Sequence, residues 1–217
     1  MISILGCGWT GVALKDVLTT QYNVSCLSRD IDKNIKEGLY NCECLVIAIP
    51  PRDNYLEILH KTLSLLQVST QVILLSSISF YNKKYLVIEA ESLVQKLHKR
   101  TVILRLGGLM GYNRIAGKYT AGKTLSFDSK TNYVHRDDVI AIIQSVINNN
   151  VENEIFDIVA PEQSTKKEIF SQNAKKFGFE ETIFLSHFKE VKELSSNKVC
   201  KILNYSFVKS DVRSFWE

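Results

Sequence analysis

A glycine-rich turn near the start of the chain constrains the fold more than any other feature. The letters GCGWTG follow the short apolar run Ile2–Leu5 and open a helical pattern over Gly11–Leu18. Gly6 permits a tight turn, Gly8 lets the backbone approach a pyrophosphate, and Gly11 lets the helix pack on the strand. This context predicts a dinucleotide-binding Rossmann unit, with a purely structural glycine turn as the alternative. The predicted cofactor contacts in this loop are Gly6, Gly8, Trp9, Thr10 and Gly11.

Apolar runs and helical patterns alternate along the first half of the chain. Near-continuous aliphatic strands that alternate with helices are typical of a parallel sheet covered on both faces. We therefore predict a doubly wound α/β sheet, with one Rossmann domain over residues 1–217 and a small C-terminal substrate lobe over residues 161–217. The lobe is expected to contain one helix, Thr165–Phe177, capped by Ser164 or Thr165. The expected strands are Ile2–Leu5, Asn23–Leu27, Cys44–Ile49, Gln71–Leu75, Val102–Leu106 and Glu154–Val159, and the other expected helices are Gly11–Leu18, Tyr55–Leu66, Val87–Leu97 and Asp137–Ile147.

The composition argues against several classes of partner. The 217 residues carry a formal net charge of +4, with basic residues scattered among acidic ones. Because a nucleic-acid surface needs a dense basic stripe, we expect no nucleic-acid partner. No apolar run approaches the roughly 20 residues of a membrane span, and the first residues lack a signal-peptide pattern, so we expect a cytoplasmic location and no membrane partner. The five cysteines, Cys7 and Cys26 among them, are expected to be reduced thiols, and their spacing predicts no metal site.

The end of the second strand discriminates between the two nicotinamide cofactors. Its tip reads Ser28-Arg29-Asp30. A serine and an arginine suit the 2′-phosphate of NADP, because a guanidinium binds a phosphate through two parallel hydrogen bonds and a carboxylate repels it. Asp30 is the opposing signal, since an acidic residue at the ribose favours NAD. We predict NADP, with Ser28 and Arg29 as contacts. NAD stays an option, and the alternative for Arg29 is a plain surface position.

The third apolar run ends in a distinctive way, with Ala48-Ile49-Pro50-Pro51. Small residues and prolines at the carboxyl end of a strand, near the switch point of a parallel sheet, commonly lie alongside a bound dinucleotide. The sequence therefore predicts cofactor contacts at these four residues. A Pro-Pro pair that merely ends the strand is the alternative.

Several stretches resemble, in order, the extended and atypical short-chain dehydrogenase/reductases, a family of NAD(P)-dependent nucleotide-sugar epimerases and dehydratases. They are GCGWTG, LLSSISFY, LRLGGLMG, NYVHRDDVIAII, IFDIVAPEQSTKKEIF and SSNKVCKILNYSF. The resemblance covers nearly the whole chain, and the order and spacing are more specific than any single motif. It implies a Rossmann fold, a nicotinamide cofactor and a small-molecule substrate with a carbonyl or hydroxyl group, sugar-derived compounds included. A homodimer is compatible with the resemblance but has no sequence signal of its own.

The resemblance also assigns catalytic roles. Active members of the family use a serine or threonine that hydrogen-bonds the substrate oxygen, and a tyrosine that moves the proton. Ser77, four residues before Tyr81, stands at the serine position, and Ser76 beside it is expected to contact the cofactor. The alternative for Ser77 is a serine that satisfies backbone groups at the end of a strand.

The family's Tyr-x-x-x-Lys pair is missing. When the alignment is counted back from Glu91, Lys83 falls at the tyrosine position and Val87 at the lysine position. An alignment shifted along the chain gives Tyr85 and Glu89 instead, and Glu89 would raise the pKa of a nearby phenol, not lower it. The candidate proton donors are therefore Tyr81 and Tyr85, without the lysine that normally supports this role.

The glycine-rich stretch over residues 107–124 is expected to be irregular and to form the mouth of the substrate site. Arg114 or Lys118 would meet a phosphate there, with an exposed surface role as the alternative. The predicted substrate contacts are Gly108, Tyr112, Asn113, Arg114 and Lys118.

Four other matches to the family are expected to have structural roles. His135 should hydrogen-bond within the turn from strand to helix, Asp137 or Asp138 should cap the helix that follows, and Arg105 should be paired internally.

Three functions remain open on the sequence. The first is an NADP(H)-binding, epimerase-like oxidoreductase that uses Ser77 and a nearby phenol. The second is a cofactor-binding sensor or regulator that has lost catalysis together with the missing pair. The third is a scaffold that keeps the fold and binds no cofactor.

Overall fold

The computed structural model describes residues 1–28 and 30–217, and the side chains of Ser186 and His187 also lie outside this description. The strands are β1 (Ile2–Leu5), β2 (Val24–Leu27), β3 (Cys44–Ile47), β4 (Gln71–Ser77), β5 (Thr101–Leu106), β6 (Gly108–Met110), β7 (Thr124–Asp128), β8 (Tyr133–His135), β9 (Glu154–Ile158) and β10 (Ile183–Phe188). The helices are α1 (Trp9–Leu18), α2 (Ile31–Lys36), α3 (Tyr55–Ser64), α4 (Tyr85–Leu97), α5 (Arg136–Asn148), α6 (Lys166–Phe177) and α7 (Asn197–Leu203). Short 3-10 helices lie at Ile78–Asn82, Lys118–Thr120 and Val212–Ser214.

The central sheet has the strand order β2-β1-β3-β4-β5-β9, and β1 to β5 pair in parallel. Ile4 in β1 lies opposite Cys26 in β2 and opposite Val46 in β3. The strand order therefore reverses between β1 and β3. The carboxyl ends of these two strands form the crevice in which open α/β sheets bind their ligands. The predicted doubly wound α/β fold is confirmed.

The inner strands are buried along most of their length. Every residue of β1 and β3 is buried, as are the first four residues of β4 and of β5. Helices cover the sheet, so these strands carry continuous aliphatic runs instead of the alternation of a half-exposed sheet. The core of this layer includes Leu45, Leu59 and Ile103, each fully buried.

The chain forms two compact units that alternate along its length. The first comprises Met1–Leu106 and Ile140–Phe156, and the second comprises Gly107–Val139 and Asp157–Glu217. The second unit contains two small parallel sheets, β6 with β8 and β7 with β10. Its own core joins α6 to the end of the chain, and includes Ile169, Phe170, Val212 and Phe215. The prediction of one domain with a lobe from residue 161 stays a prediction.

Helix α6 begins as its sequence predicts. The side chain of Thr165 accepts a hydrogen bond from the N–H of Glu168 at 3.1 Å, so Thr165 is the N-cap. Gly178 ends the helix in the left-handed conformation with φ +68°. Other short elements were not predicted, namely α2, β6, β7, β8, β10 and α7.

Within the described residues, no helix is both long and apolar enough to cross a membrane.

Candidate functional site

The loop between β1 and α1 has the backbone shape that a pyrophosphate site needs. Gly6 has φ +106°, and a Cβ at this position would lie 2.8 Å from the carbonyl carbon of Ala48. A Cβ on Gly11 would collide with the carbonyl oxygen of Gly6. Gly8 differs, because none of the described heavy atoms beyond its chain neighbours lies within 4 Å of where its Cβ would stand. The fold itself therefore requires glycine at positions 6 and 11, whereas Gly8 faces open space.

The amino end of α1 can receive an anion. Its N-cap residue is Gly8, which brings no side-chain acceptor, and the first turn, residues 9–12, is uncharged. The first N–H groups of a helix have no partner within the helix, and the helix dipole places positive charge at the same end. These features fit the pyrophosphate of a nicotinamide dinucleotide. Trp9 and Thr10, two of the predicted contacts, lie in this first turn.

The end of β3 lies directly beside the glycine loop. The N–H of Ala48 donates to the carbonyl oxygen of the last residue of β1 over 2.8 Å, which continues the contact between the two strands. A Cβ on Gly6 would also meet the side chain of Ile49 at 2.8 Å. Ala48 and Ile49 therefore border the crevice at the switch point, and Pro50 and Pro51 follow them in the chain.

A buried asparagine that sequence reasoning missed holds the tip of β2. Its Oδ1 accepts from the N–H and from the hydroxyl of Ser28, both at 2.9 Å, and its Nδ2 donates to the Ser28 carbonyl at 3.0 Å. This residue, Asn34, lies in the short helix α2, so no periodic pattern pointed to it. Ser28, the predicted ribose contact, is thus fixed by three hydrogen bonds to one side chain.

The residues that would select between NADP and NAD follow Ser28. The Asp30 carboxylate accepts from the N–H of Lys33 at 3.0 Å and caps α2, which gives this carboxylate a structural task. Arg29, on which the NADP prediction depends, lies outside the described residues. The preference for NADP therefore stays a prediction.

Cys7 and Cys26 form a disulfide, with their Cα atoms 6.0 Å apart. The pairing of β1 with β2 places Cys26 opposite Ile4, and the turn of the glycine loop brings Cys7 alongside it. The bond joins the middle of the glycine loop to the strand that carries the predicted ribose contact. The expectation of reduced thiols was wrong for these two cysteines, because it took no account of which strands are neighbours.

The two serines at the end of β4 have different tasks. The Ser76 hydroxyl donates to Oε1 of Glu91 at 2.6 Å. The Ser77 hydroxyl oxygen instead accepts from the N–H of Ser79 at 3.1 Å and caps the 3-10 helix that follows. Neighbouring strand residues point to opposite faces of a sheet, which explains the split. The Ser76 hydroxyl uses its proton in the hydrogen bond to Glu91 and can only accept from a cofactor, whereas the Ser77 hydroxyl can still donate its proton.

Arg105 lies at the centre of a network beside these serines. Its Nε and Nη2 donate to the carboxylate of Glu91, at 3.1 Å and 2.7 Å, and Glu91 is 2% exposed. Its Nη1 lies 3.4 Å from the Tyr81 hydroxyl, and its guanidinium carbon lies 3.4 Å from the centre of the Phe80 ring. Burial alone would lower the pKa of Arg105, but its hydrogen bonds to Glu91 and Tyr81 raise that pKa above its ordinary value. The expected internal pairing of Arg105 is confirmed.

The two candidate phenols occupy different surroundings. Tyr81 lies in the 3-10 helix after Ser77 and reaches Arg105. Tyr85 is the first residue of α4 and is 67% exposed, with Glu89 one helical turn later. The structure therefore groups Ser77 with Tyr81 in one short segment and places Tyr85 on the solvent side of the next helix.

The predicted substrate residues all belong to the second unit. Gly108 lies in β6, where a Cβ would meet the ring of Tyr133 at 2.5 Å. Lys118 begins a short 3-10 helix, and the carbonyl oxygen of Arg114 accepts from the indole N–H of Trp216 at 3.1 Å. The remaining two predicted residues, Tyr112 and Asn113, belong to the same loop between β6 and β7.

Tyr112 is held in an unusual backbone conformation. It has φ +53°, and its hydroxyl donates to Oδ2 of Asp137 at 2.6 Å. This hydrogen bond raises the pKa of the Tyr112 phenol above its ordinary value. The guanidinium carbon of Arg136 lies 4.2 Å from the centre of the same ring. A charged pair thus fixes the side chain that the sequence assigned to the substrate.

His135 has a structural role, as expected. Its Nδ1 accepts from the N–H of Asp137 at 3.3 Å, and a Cβ on Gly111 would collide with its ring. Burial lowers the pKa of the imidazole below its ordinary value. The histidine lines a cavity of about 290 Å³ together with Tyr112, Asp137, Phe177, Lys209 and Phe215.

The expected helix cap at Asp137 or Asp138 was wrong. The Asp137 carboxylate accepts from Tyr112, and that of Asp138 accepts from the Tyr205 hydroxyl at 2.6 Å and from the N–H groups of Val208 and Lys209, at 2.8 Å and 3.1 Å. Helix α5 begins at Arg136, so both aspartates lie inside its first turn and bind tertiary partners instead of capping the helix.

Comparison with known proteins supports the fold. No protein-family profile matches the chain. The chain is 25% identical to protein YeeZ of Escherichia coli (strain K12) over 265 aligned positions, which cover 95% of each protein.

Two solved structures align with nearly the whole chain. One, from Methylobacillus flagellatus and provisionally named an NAD-dependent epimerase/dehydratase, has a TM-score of 0.82 and 22% identity, with 99% of this chain and 95% of that chain covered. The other is human epimerase family protein SDR39U1 (isoform 2) with NADPH, at a TM-score of 0.74 and 15% identity, with 99% and 97% covered. These likenesses confirm the Rossmann-like fold that the resemblance implied.

Proposed function

We propose that this chain binds a nicotinamide dinucleotide along the carboxyl ends of β1 and β3 and acts as an epimerase-like oxidoreductase. The observation that carries the proposal is the open space over Gly8, next to a helix end that has neither an acidic residue nor a side-chain cap. The names of two structural neighbours, one NAD-dependent and one with NADPH, support it. The Ser28-Arg29 sequence favours NADP, and NAD is the alternative.

The residues of the chain have separate tasks in the proposed reaction. The N–H groups of the first turn of α1 bind the pyrophosphate. A bound dinucleotide supplies or accepts a hydride. The Ser77 hydroxyl donates a hydrogen bond to the oxygen of a small carbonyl or hydroxyl compound, and a phenol, Tyr81 or Tyr85, moves the proton.

Substitution of Gly8 by alanine tests cofactor binding without disturbing the fold. Gly8 has φ −89°, which any residue adopts, and its Cβ would enter open space. The Gly8→Ala protein should therefore keep its unfolding temperature while the methyl group occupies the space that a pyrophosphate needs. We expect the affinity for NAD(H) or NADP(H), measured by titration calorimetry, to fall at least about tenfold, a loss of roughly 1.4 kcal/mol.

A matched control is Val17→Ala, which shortens an exposed side chain near the carboxyl end of the same helix. It should leave affinity and stability close to those of the natural protein. Equal affinity in Gly8→Ala and Val17→Ala would contradict the proposed site. No gain in unfolding temperature with any of the four dinucleotides would contradict the proposed function as a whole.

A second candidate is a cofactor-binding sensor without turnover. The observation that favours it is the start of α4, where Glu89 and not a lysine follows the exposed Tyr85 by one turn. Tight binding of a dinucleotide, no hydride transfer over a broad carbonyl panel, and cofactor-dependent capture of a partner protein would support this function. Capture that is independent of the cofactor would contradict it.

A further inference from the structure

Helix α4 lacks the lysine that would stabilise a catalytic phenolate. Its first turns read Tyr85-Leu-Val-Ile-Glu89, and Lys83 and Lys84 precede the helix. A tyrosine without a nearby cation ionises too rarely near neutral pH to exchange a proton efficiently. An enzyme of this kind therefore needs its cation from another element.

We propose that Arg105 takes the place of the missing lysine, by stabilising the phenolate of Tyr81, and that Tyr81 is the proton donor of the reaction. The inference rests on the proposed function and goes beyond it by naming the residue that supports the donor. In this assignment Tyr81 is a catalytic residue, whereas Arg105 and Glu91 are positioning residues.

The guanidinium of Arg105 is held in one orientation. Glu91 accepts from Nε and Nη2, and the ring of Phe80 covers the flat face at 3.4 Å. The remaining nitrogen, Nη1, lies 3.4 Å from the Tyr81 hydroxyl oxygen. A planar guanidinium can serve two partners in this way, because its N–H groups form a rigid fork. Because the guanidinium is already fixed in place, little entropy is lost when the phenolate forms beside it.

The charges around Tyr81 favour the phenolate. Arg105 approaches from β5, and the carboxylate of Glu91, from α4, lies against a different edge of the guanidinium. The cationic Nη1 is thus within reach of the Tyr81 hydroxyl oxygen, at 3.4 Å. Lys83 and Lys84, which follow Tyr81 in the chain, are exposed and add positive charge. Burial would lower the pKa of Arg105, but its contacts with Glu91 and then with Tyr81 raise that pKa, so the guanidinium stays charged beside the phenol.

The surroundings of Tyr85 differ from those of Tyr81 in both orientation and charge. Its side chain is 67% exposed at the start of α4, and the acidic Glu89 lies on the same face of the helix one turn later. Its surroundings are therefore water and a carboxylate, and not a cation held in one orientation. The geometry thus selects Tyr81 between the two candidates.

The proposed step is a balanced proton transfer coupled to a hydride transfer. In the reducing direction, Tyr81 gives its hydroxyl proton to the carbonyl oxygen of the substrate, and the carbonyl carbon accepts a hydride from the reduced dinucleotide. The products are an alcohol and the oxidised dinucleotide. The Tyr81 phenolate, beside Arg105, then takes a proton from water.

A titration of the cofactor-free protein tests the coupling directly. Tyrosinate absorbance is followed against pH in the natural protein and in a Glu91→Gln/Arg105→Gln variant, which removes both charges and leaves no unpaired buried ion. In each background, the curve of the matching Tyr81→Phe protein is subtracted to isolate Tyr81. We expect the isolated curve to move to higher pH by about one pH unit when the charges are removed. An unmoved curve would overturn the role of Arg105.

Measurements of hydride transfer test whether Tyr81 is the proton donor. With reduced dinucleotide and 4-nitrobenzaldehyde or glyceraldehyde as probes, Tyr81→Phe should lower hydride transfer about 100-fold while the dinucleotide affinity is kept. Arg105→Lys keeps the charge for Glu91 but lacks the rigid fork, so its rate should fall and the decline of its rate at high pH should shift to higher pH. Tyr22→Phe is the control, because Tyr22 precedes β2, at the amino ends of the parallel strands, whereas Tyr81 follows the carboxyl end of β4.

The outcomes separate this inference from the proposed function. Activity that survives in Tyr81→Phe and is lost in Tyr85→Phe would assign the donor to Tyr85. Dinucleotide binding without reduction of either probe would overturn the donor role but leave the cofactor site intact. Failure of the natural protein to bind any dinucleotide would instead contradict the proposed function, and the absorbance titration would still decide whether Arg105 and Tyr81 are coupled.

Discussion

At the level of the residue, the buried side chain of Asn34 holds the tip of β2 in place. Its side chain is 1% exposed, and its amide serves both Ser28 and, over 3.3 Å, the hydroxyl of Tyr40. In Asn34→Ala these buried groups would lose their partners. We expect the free energy of unfolding, measured with urea, to fall by about 2 kcal/mol. The affinity for a dinucleotide should fall as well, because the tip of β2 would no longer be fixed.

An exposed asparagine in the same unit provides the control. Asn41 bonds only Gln67 among the side-chain hydrogen bonds described, at 2.8 Å, and its substitution by alanine should change the free energy of unfolding by less than about 0.5 kcal/mol. Equal losses in the two variants would mean that Asn34 has no special role at the tip of β2.

The buried side chain of His135 should make the stability of the protein depend on pH. Burial lowers the pKa of its imidazole below 6.5, so the unfolded chain binds a proton more readily than the folded one. The stabilising contribution is fully present above pH 6.5 and is lost as the pH falls through the lower pKa of the folded state. Histidine resonances followed by NMR should show one ring that titrates later than an exposed histidine on acidification. In His135→Gln, the slope of stability against pH should be reduced.

At the level of elements, the disulfide between the glycine loop and β2 should contribute to stability. The two cysteines are 19 residues apart in sequence, and closing a loop of this size restricts the unfolded chain by about 3 kcal/mol. Reduction, or Cys26→Ser, should lower the free energy of unfolding by an amount of this order. The reduced natural protein and Cys26→Ser should agree, and Cys200→Ser, which removes a free cysteine, should respond to reductant as the natural protein does.

Elements with a strong local pattern could be predicted from the sequence. The central strands and α6 were found because aliphatic runs and a capping threonine act within a few residues. The short elements β6, β8 and α2 were missed, since segments of three to six residues are stabilised by what they pair with. The cap expected at Asp137 or Asp138 failed because α5 begins at Arg136, which places both residues inside the helix.

At the level of the whole molecule, a feature could be predicted from the sequence when its residues lie close together along the chain. The glycine loop is contiguous, so its chemistry can be read directly, and the order of the motifs was enough for the fold. The network of Glu91, Arg105 and Tyr81 joins a 3-10 helix, a helix and a strand, and each residue alone looks ordinary. The two units also alternate along the chain, which no change of composition marks.

The bond between Cys7 and Cys26 also has a topological consequence. It closes the chain into a covalent ring, and the whole of α1 lies inside that ring. A single cut of the backbone anywhere in α1 would open one path around the ring and leave the other intact. The glycine loop and strand β2 would therefore stay covalently joined after such a cut, and the covalent link would be lost only when a reductant is added.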